Sequence, residues 1–98
     1  MIIVHDIFIC KPGNASKLAK KFKEAMTGMS EMVHVMTDMT GQFNKVVVVS
    51  QYESLTAYEQ SWQKYMEESE EMKKMQVTME GYQEMYQTGS REIYQVTK

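Results

Sequence analysis

Two periods alternate along the chain. Residues 1–10, MIIVHDIFIC, are mostly β-branched or aromatic and stop at Lys11-Pro12-Gly13, which predicts an opening strand. Ile3, Ile7 and Ile9 share one parity, Val4 and Phe8 the other. A strand apolar on both sides is covered on both sides. After Pro12-Gly13, Asn14 or Ser16 is placed to cap a helix. Leu18, Phe22, Ala25, Met26 and Met29 then recur at three and four, the spacing of one helical stripe. Lys17, Lys20, Lys21 and Lys23 take the outer positions, so an amphipathic helix is expected to end near Gly28. EMVHVMTDM and KVVVVSQY flank a short connection at residues 40–44 that holds Gly41 and Asn44. That is the pattern of a β-hairpin, and the apolar run at 46–49 again calls for cover on both faces.

Ser54 is the next helix cap, followed by Leu55, Tyr58, Trp62, Tyr65, Met66 and Ser69 at helical spacing. This aromatic stripe reads first as buried core, worth on the order of 2 kcal/mol per covered large side chain. Its second reading is a pocket wall, because Tyr and Trp carry polar tips that seek partners. The helix either continues or breaks near Ser69. Gly81 and Thr88-Gly89-Ser90 punctuate the tail, REIYQV is a last strand, and residues 82–87 are placed to pair with it across the glycine turn.

The order strand, helix, strand, strand, helix, strand predicts one α+β domain over residues 1–98. It is the ferredoxin-like split βαβ arrangement, a four-stranded antiparallel sheet with both helices on one face. The helices cover one face only, and a second copy of the sheet is the simplest cover for the other.

Composition narrows the function. A net charge of −2 lacks the basic face that nucleic acid requires. Cys10 is the single cysteine, which rules out an internal disulfide and a cysteine-built zinc site. No basic leader with an apolar core opens the chain, and no apolar run reaches the length of a membrane span. The expectation is a cytoplasmic protein that engages neither nucleic acid nor membrane. Lysines crowd the first helix, while Glu67, Glu68, Glu70 and Glu71 make the second acidic, a pattern that complementary solvated faces explain.

KPGNASKLAKKFKEAM, YESLTAYEQSW and GSREIYQV, in this order and spacing, resemble the dimeric α+β barrel superfamily. The ending is similar to that of NIPSNAP-like members. The resemblance implies a homodimer whose sheets face each other, with a cavity in each subunit between sheet and helices. Relatives include antibiotic-biosynthesis monooxygenases, which oxidise aromatic polyketides without a bound cofactor, and haem-degrading monooxygenases. The haem-degrading pattern fails here. Its strand asparagine falls at or near His5, its tryptophan falls near Trp62 without matching it, and no histidine follows His34. No cofactor is expected.

His5 is the catalytic candidate. Its parity with Ile3, Ile7 and Ile9 is expected to aim it at the helices and the cavity, where an imidazole exchanges protons near neutral pH. The plainer reading is a hydrogen-bonded core histidine. Asp6, of opposite parity, is expected between subunits as a paired interface carboxylate, since an unpaired buried charge is costly. His34 and Asp38 are four residues apart on one strand, roughly 13 Å at 3.3 Å per residue, so they form no dyad together. Trp62, Tyr58, His34 and Met66 are the ligand-binding candidates. The 11 methionines raise a Cu(I) site, but helical spacing favours flexible gap-filling, and no metal is expected. The sequence thus predicts a dimer binding a small hydrophobic or aromatic molecule, with cofactor-independent monooxygenase or isomerase chemistry as one extension. The alternative is a non-catalytic dimeric binding or accessory module.

Overall fold

The computed structural model describes residues 1–66 and 69–98, with the side chains of Tyr65 and Glu71 outside that description. The strands are β1 (Ile2–Cys10), β2 (Met32–Thr37), β3 (Lys45–Tyr52) and β4 (Tyr86–Gln95). The helices are α1 (Ala15–Ala25), α2 (Leu55–Met66) and α3 (Glu70–Thr78), with a 3-10 turn at Tyr82–Glu84. The sheet runs β2-β3-β1-β4 and every pairing is antiparallel. This is the expected ferredoxin-like α+β fold. Among the described residues, no helix is long and apolar enough to cross a membrane.

The core forms where α1 meets the sheet. Leu18 and Phe22 are buried against Cys10, Val46 and Val48, so the stripe read from α1 is its packing face. Asn14 stands at the N-cap position, but its side chain makes no capping hydrogen bond; its carbonyl accepts the first helical bond, from Leu18 N at 2.9 Å. Ser54 caps as expected, its Oγ accepting from Ala57 N; Ser69, read as part of the α2 stripe, is also a cap, its Oγ accepting from Met72 N, each at 3.1 Å. Ser69 therefore starts a new helix and breaks the long one. The expected β2–β3 hairpin is present. Asp38 ends it by accepting from Lys45 N at 2.8 Å, and Asn44 takes the positive φ of 62° that the reversal requires.

Three expectations are corrected. The tail forms no hairpin of its own. β4 is one continuous strand on β1, and Gly89 sits opposite Phe8. A Cβ at Gly89 would meet the Phe8 and Tyr86 rings at 3.5–3.8 Å, so this glycine leaves room for two aromatic rings that meet edge-on and makes no turn. The parity of β1 is inverted. Val4 and Cys10 are buried on the helix side, which places Asp6 there and turns Ile3, His5, Ile7 and Ile9 to the open face.

Among its described side chains, the stripe on α2 is core only at Tyr58, half-buried against Ile2, Val4 and Tyr52. Leu55 is 61% exposed, Trp62 44% and Met66 84%, and no described side chain of this helix is fully buried. Glu67 and Glu68, and the side chains of Tyr65 and Glu71, lie outside the described residues. The described polar contact between α1 and α3 runs from Lys21 Nζ to the Thr78 carbonyl at 3.1 Å, a cation at a helix C-terminus.

Leu18→Ala is expected to cost about 2–5 kcal/mol, as full burial implies, in urea denaturation. Gly89→Ala, in ordinary contact distance and extended backbone, is expected to stay within about 1 kcal/mol of wild type. A turn-forming glycine would not tolerate it.

Candidate functional site

Between the inner face of the sheet and the helices lies a cavity of about 680 Å³. Its floor is Asp6, Phe8, Val48 and Ser50 on β1 and β3, with Arg91 on β4. Phe22 and Ala25 of α1, with Met26 and Met29 just beyond its end, form one wall, Tyr58 and Trp62 from α2 the opposite one. Met75 of α3, Met79 at its C-cap and Tyr82 of the 3-10 turn close it. The cavity exists because α2 stands away from the sheet, and only its first turns reach Ile2, Val4 and Tyr52, through Ala57 and Tyr58. Trp62 lines the space without filling it. The methionines in these walls are unbranched and adaptable, which suits a cavity that accepts more than one shape.

The polar end is built from two strands and one helix. Asp6 and Arg91 are register partners across β1 and β4, and the Arg91 Nε–H donates to Asp6 Oδ1 at 2.5 Å. The guanidinium carbon lies 5.0 Å from the Trp62 ring centroid and 5.9 Å from that of Tyr58, within cation–π range. Tyr58 meets Trp62 edge-on at 6.2 Å and Tyr52 at 4.9 Å. Burial acts to lower the Arg91 pKa, but the hydrogen bond and charge of Asp6 outweigh it and raise the value. Arg91 is permanently cationic. Its side chain is 43% exposed, so the pair contributes no more than about 1 kcal/mol to stability, and its main effect is to orient the guanidinium. The Tyr58 hydroxyl is buried and has no hydrogen-bond partner among the described residues.

Of the residues singled out in the sequence, the structure brings Tyr58 and Trp62 together at the cavity. It places three elsewhere. His5 is on the open face, its ring edge-on to Tyr94 at 5.3 Å, so an imidazole at this position does not reach the cavity. His34 is exposed and shares the partner Val49 with His5, about 10 Å away across two strand spacings. Met66 is exposed at the end of α2. Asp6 was expected between subunits and belongs to the cavity instead, and Arg91 was missed. The available signal was a carboxylate in the middle of an apolar β1 and an arginine in the last strand, with register needed to join them.

Cys10 is 2% exposed, and burial pushes its thiol up from the ordinary value of 9.0. It is a core residue and a poor nucleophile.

The sequence matches the NIPSNAP family model over residues 6–95. No functionally curated protein matches the chain. Solved structures share its fold at low identity. A NIPSNAP family protein from Agrobacterium tumefaciens is 15% identical, with 98% of this chain and 92% of that one aligned and a TM-score of 0.78. An uncharacterised NIPSNAP-like domain protein from Burkholderia xenovorans is 16% identical, covering 98% and 84%, with a TM-score of 0.77. An antibiotic biosynthesis monooxygenase-like protein from Nitrosomonas europaea is 9% identical over the whole of both chains, with a TM-score of 0.63.

Two outcomes are expected at this site. Tyr58→Phe removes a hydroxyl whose unmet burial costs about 1–3 kcal/mol, so its thermal midpoint is expected at or above that of wild type. Cys10 is expected to react with a thiol-specific disulfide reagent only after denaturation. Because the unfolded thiol ionises first, folding stability falls as pH rises past 9.0. With a match that spans nearly its whole length, the chain belongs to the NIPSNAP family.

Proposed function

We propose that the protein is a homodimeric small-molecule-binding protein whose cavity takes a hydrophobic or aromatic compound. The observation that carries this reading is the cavity itself: about 680 Å³, walled mainly by aromatic rings and methionines, with one ion pair and one hydroxyl unpartnered among the described residues at its polar end. Binding sites are commonly apolar spaces of this size with a few convergent polar groups. The fold shared with monooxygenase-like proteins is compatible with binding of this kind, but His5 stands outside the cavity, so the reading includes no imidazole-driven step.

The dimer rests on the other face. Ile3, Ile7, Ile9, Val47 and Val49 line the centre of the sheet there, with Met36 at 40% and Tyr94 at 48% exposure toward its edges. Among the described residues no helix packs on this face; Val49 is buried by its neighbours in the sheet, and Ile3, Ile7, Ile9 and Val47 are half-buried. A continuous apolar sheet face of this kind marks an interface, and a self-complementary pair of sheets closes with two-fold symmetry. Glu92 beside Tyr94 holds the phenol above its ordinary value, and His5 and His34 give the same face a polar minority.

Two measurements test this reading. Sedimentation equilibrium is expected to give a dimer, and Ile7→Asp a monomer; a monomeric wild type rules the dimer out. The uncharged dye N-phenyl-1-naphthylamine is expected to bind once per chain. Ala25→Phe, which projects a ring into the cavity, is expected to weaken the dye at least roughly tenfold. Equal binding by wild type and variant would show that the dye sits elsewhere.

A further inference from the structure

We propose that the compound held in this cavity is uncharged and carries a carbonyl oxygen, which accepts hydrogen bonds from the Tyr58 hydroxyl and the Arg91 guanidinium. The inference rests on the cavity being a binding site and specifies what it selects. Tyr58 and Arg91 are neighbours, the guanidinium carbon standing 5.9 Å from the phenol ring centroid. The hydroxyl is buried with no partner among the described residues. Arginine offers five N–H donors and no acceptor. Asp6 takes the Nε–H, while the terminal nitrogens make no hydrogen bond to the described residues. A buried donor without an acceptor is costly, and a single ligand oxygen placed here serves both groups.

Charge decides which oxygen. Among the described residues the charged lining groups are Asp6, Glu80 and Arg91, one guanidinium against two carboxylates. The guanidinium is already paired with Asp6 and shielded on its face by Trp62 at 5.0 Å. An entering carboxylate would meet a neutralised cation in a wall of net negative charge. An entering ammonium would lie beside Arg91 and compete with it for Asp6. An uncharged acceptor incurs neither repulsion, and its apolar body lies against Phe8, Phe22 and Met79 at the other end.

Three matched probes test the inference by calorimetric titration of the full chain at neutral pH: 2-acetylnaphthalene, 2-ethylnaphthalene and 2-naphthoate. The ketone is expected to bind about tenfold more tightly than the hydrocarbon, the worth of one well-made hydrogen bond, and more tightly than the carboxylate. Tyr58→Phe is expected to remove most of the ketone's advantage. Infrared spectra of carbonyl-labelled 2-acetylnaphthalene give a readout in the wild type alone, with the stretching band expected below its position in hexane. Equal affinity for ketone and hydrocarbon, tightest binding of naphthoate, or an unshifted band overturns the inference and leaves the cavity's binding role standing. If none of the three probes binds while the naphthylamine dye does, the carbonyl class is overturned by itself; if the dye fails too, the binding reading falls with it.

Discussion

Alternation along β1 divides the molecule into two chemistries, and the rest of the structure follows from which side received the helices. Val4, Asp6, Phe8 and Cys10 face inward; Ile3, His5, Ile7 and Ile9 face outward. The period of a strand is two, so this single choice assigns the regularly paired residues to one face or the other, with register shifts between Met32 and His34 and between Ile9 and Cys10. Inward, α1 seals Leu18 and Phe22 onto β3, and α2, lying further off, leaves the cavity. Outward, the strands remain apolar, with no helix of the described chain packed on them. A single 98-residue chain has helices enough for one face only.

The placement of Asp6 is where this division matters most for function. A carboxylate in the middle of a buried strand face needs a partner, and its register partner on β4 is Arg91. Once fixed by Asp6, the guanidinium lies against Trp62 and close to Tyr58, so a structural requirement of the strand also arranges the polar end of the cavity. The pair is too exposed to contribute much to stability. What it contributes is a fixed direction for donors beside an otherwise greasy space.

Much of the fold was legible in the sequence because local signals agreed with one another. The α1 stripe, the Ser54 cap and the Asn44 hairpin each follow from side-chain chemistry acting over a few residues. The failures share a physical cause. β1 is apolar on both sides, so its pattern cannot say which side meets the helices, and His5 and Asp6 exchanged places for that reason. Gly89 reads as a turn locally, yet its role is set by Phe8 on another strand. Tyr58 and Trp62 were legible as a helical stripe, but whether such a stripe is buried depends on how closely α2 approaches the sheet, and no local pattern encodes that distance. Arg91 is an ordinary exposed arginine until register sets it opposite Asp6.

The methionines offer the most direct test of the central claim, that the space between sheet and helices is where a ligand goes. Met26, Met29, Met32, Met75 and Met79 line the cavity, whereas Met36 lies on the open sheet face and Met39 is 96% exposed in the hairpin connection. Methyl NMR of protein labelled at methionine, titrated with 2-acetylnaphthalene, separates the two sets in one experiment. The account predicts saturable shifts of the cavity methyls while Met39 stays still. Shifts confined to Met36 and Met39, with the cavity methyls unmoved, would contradict it.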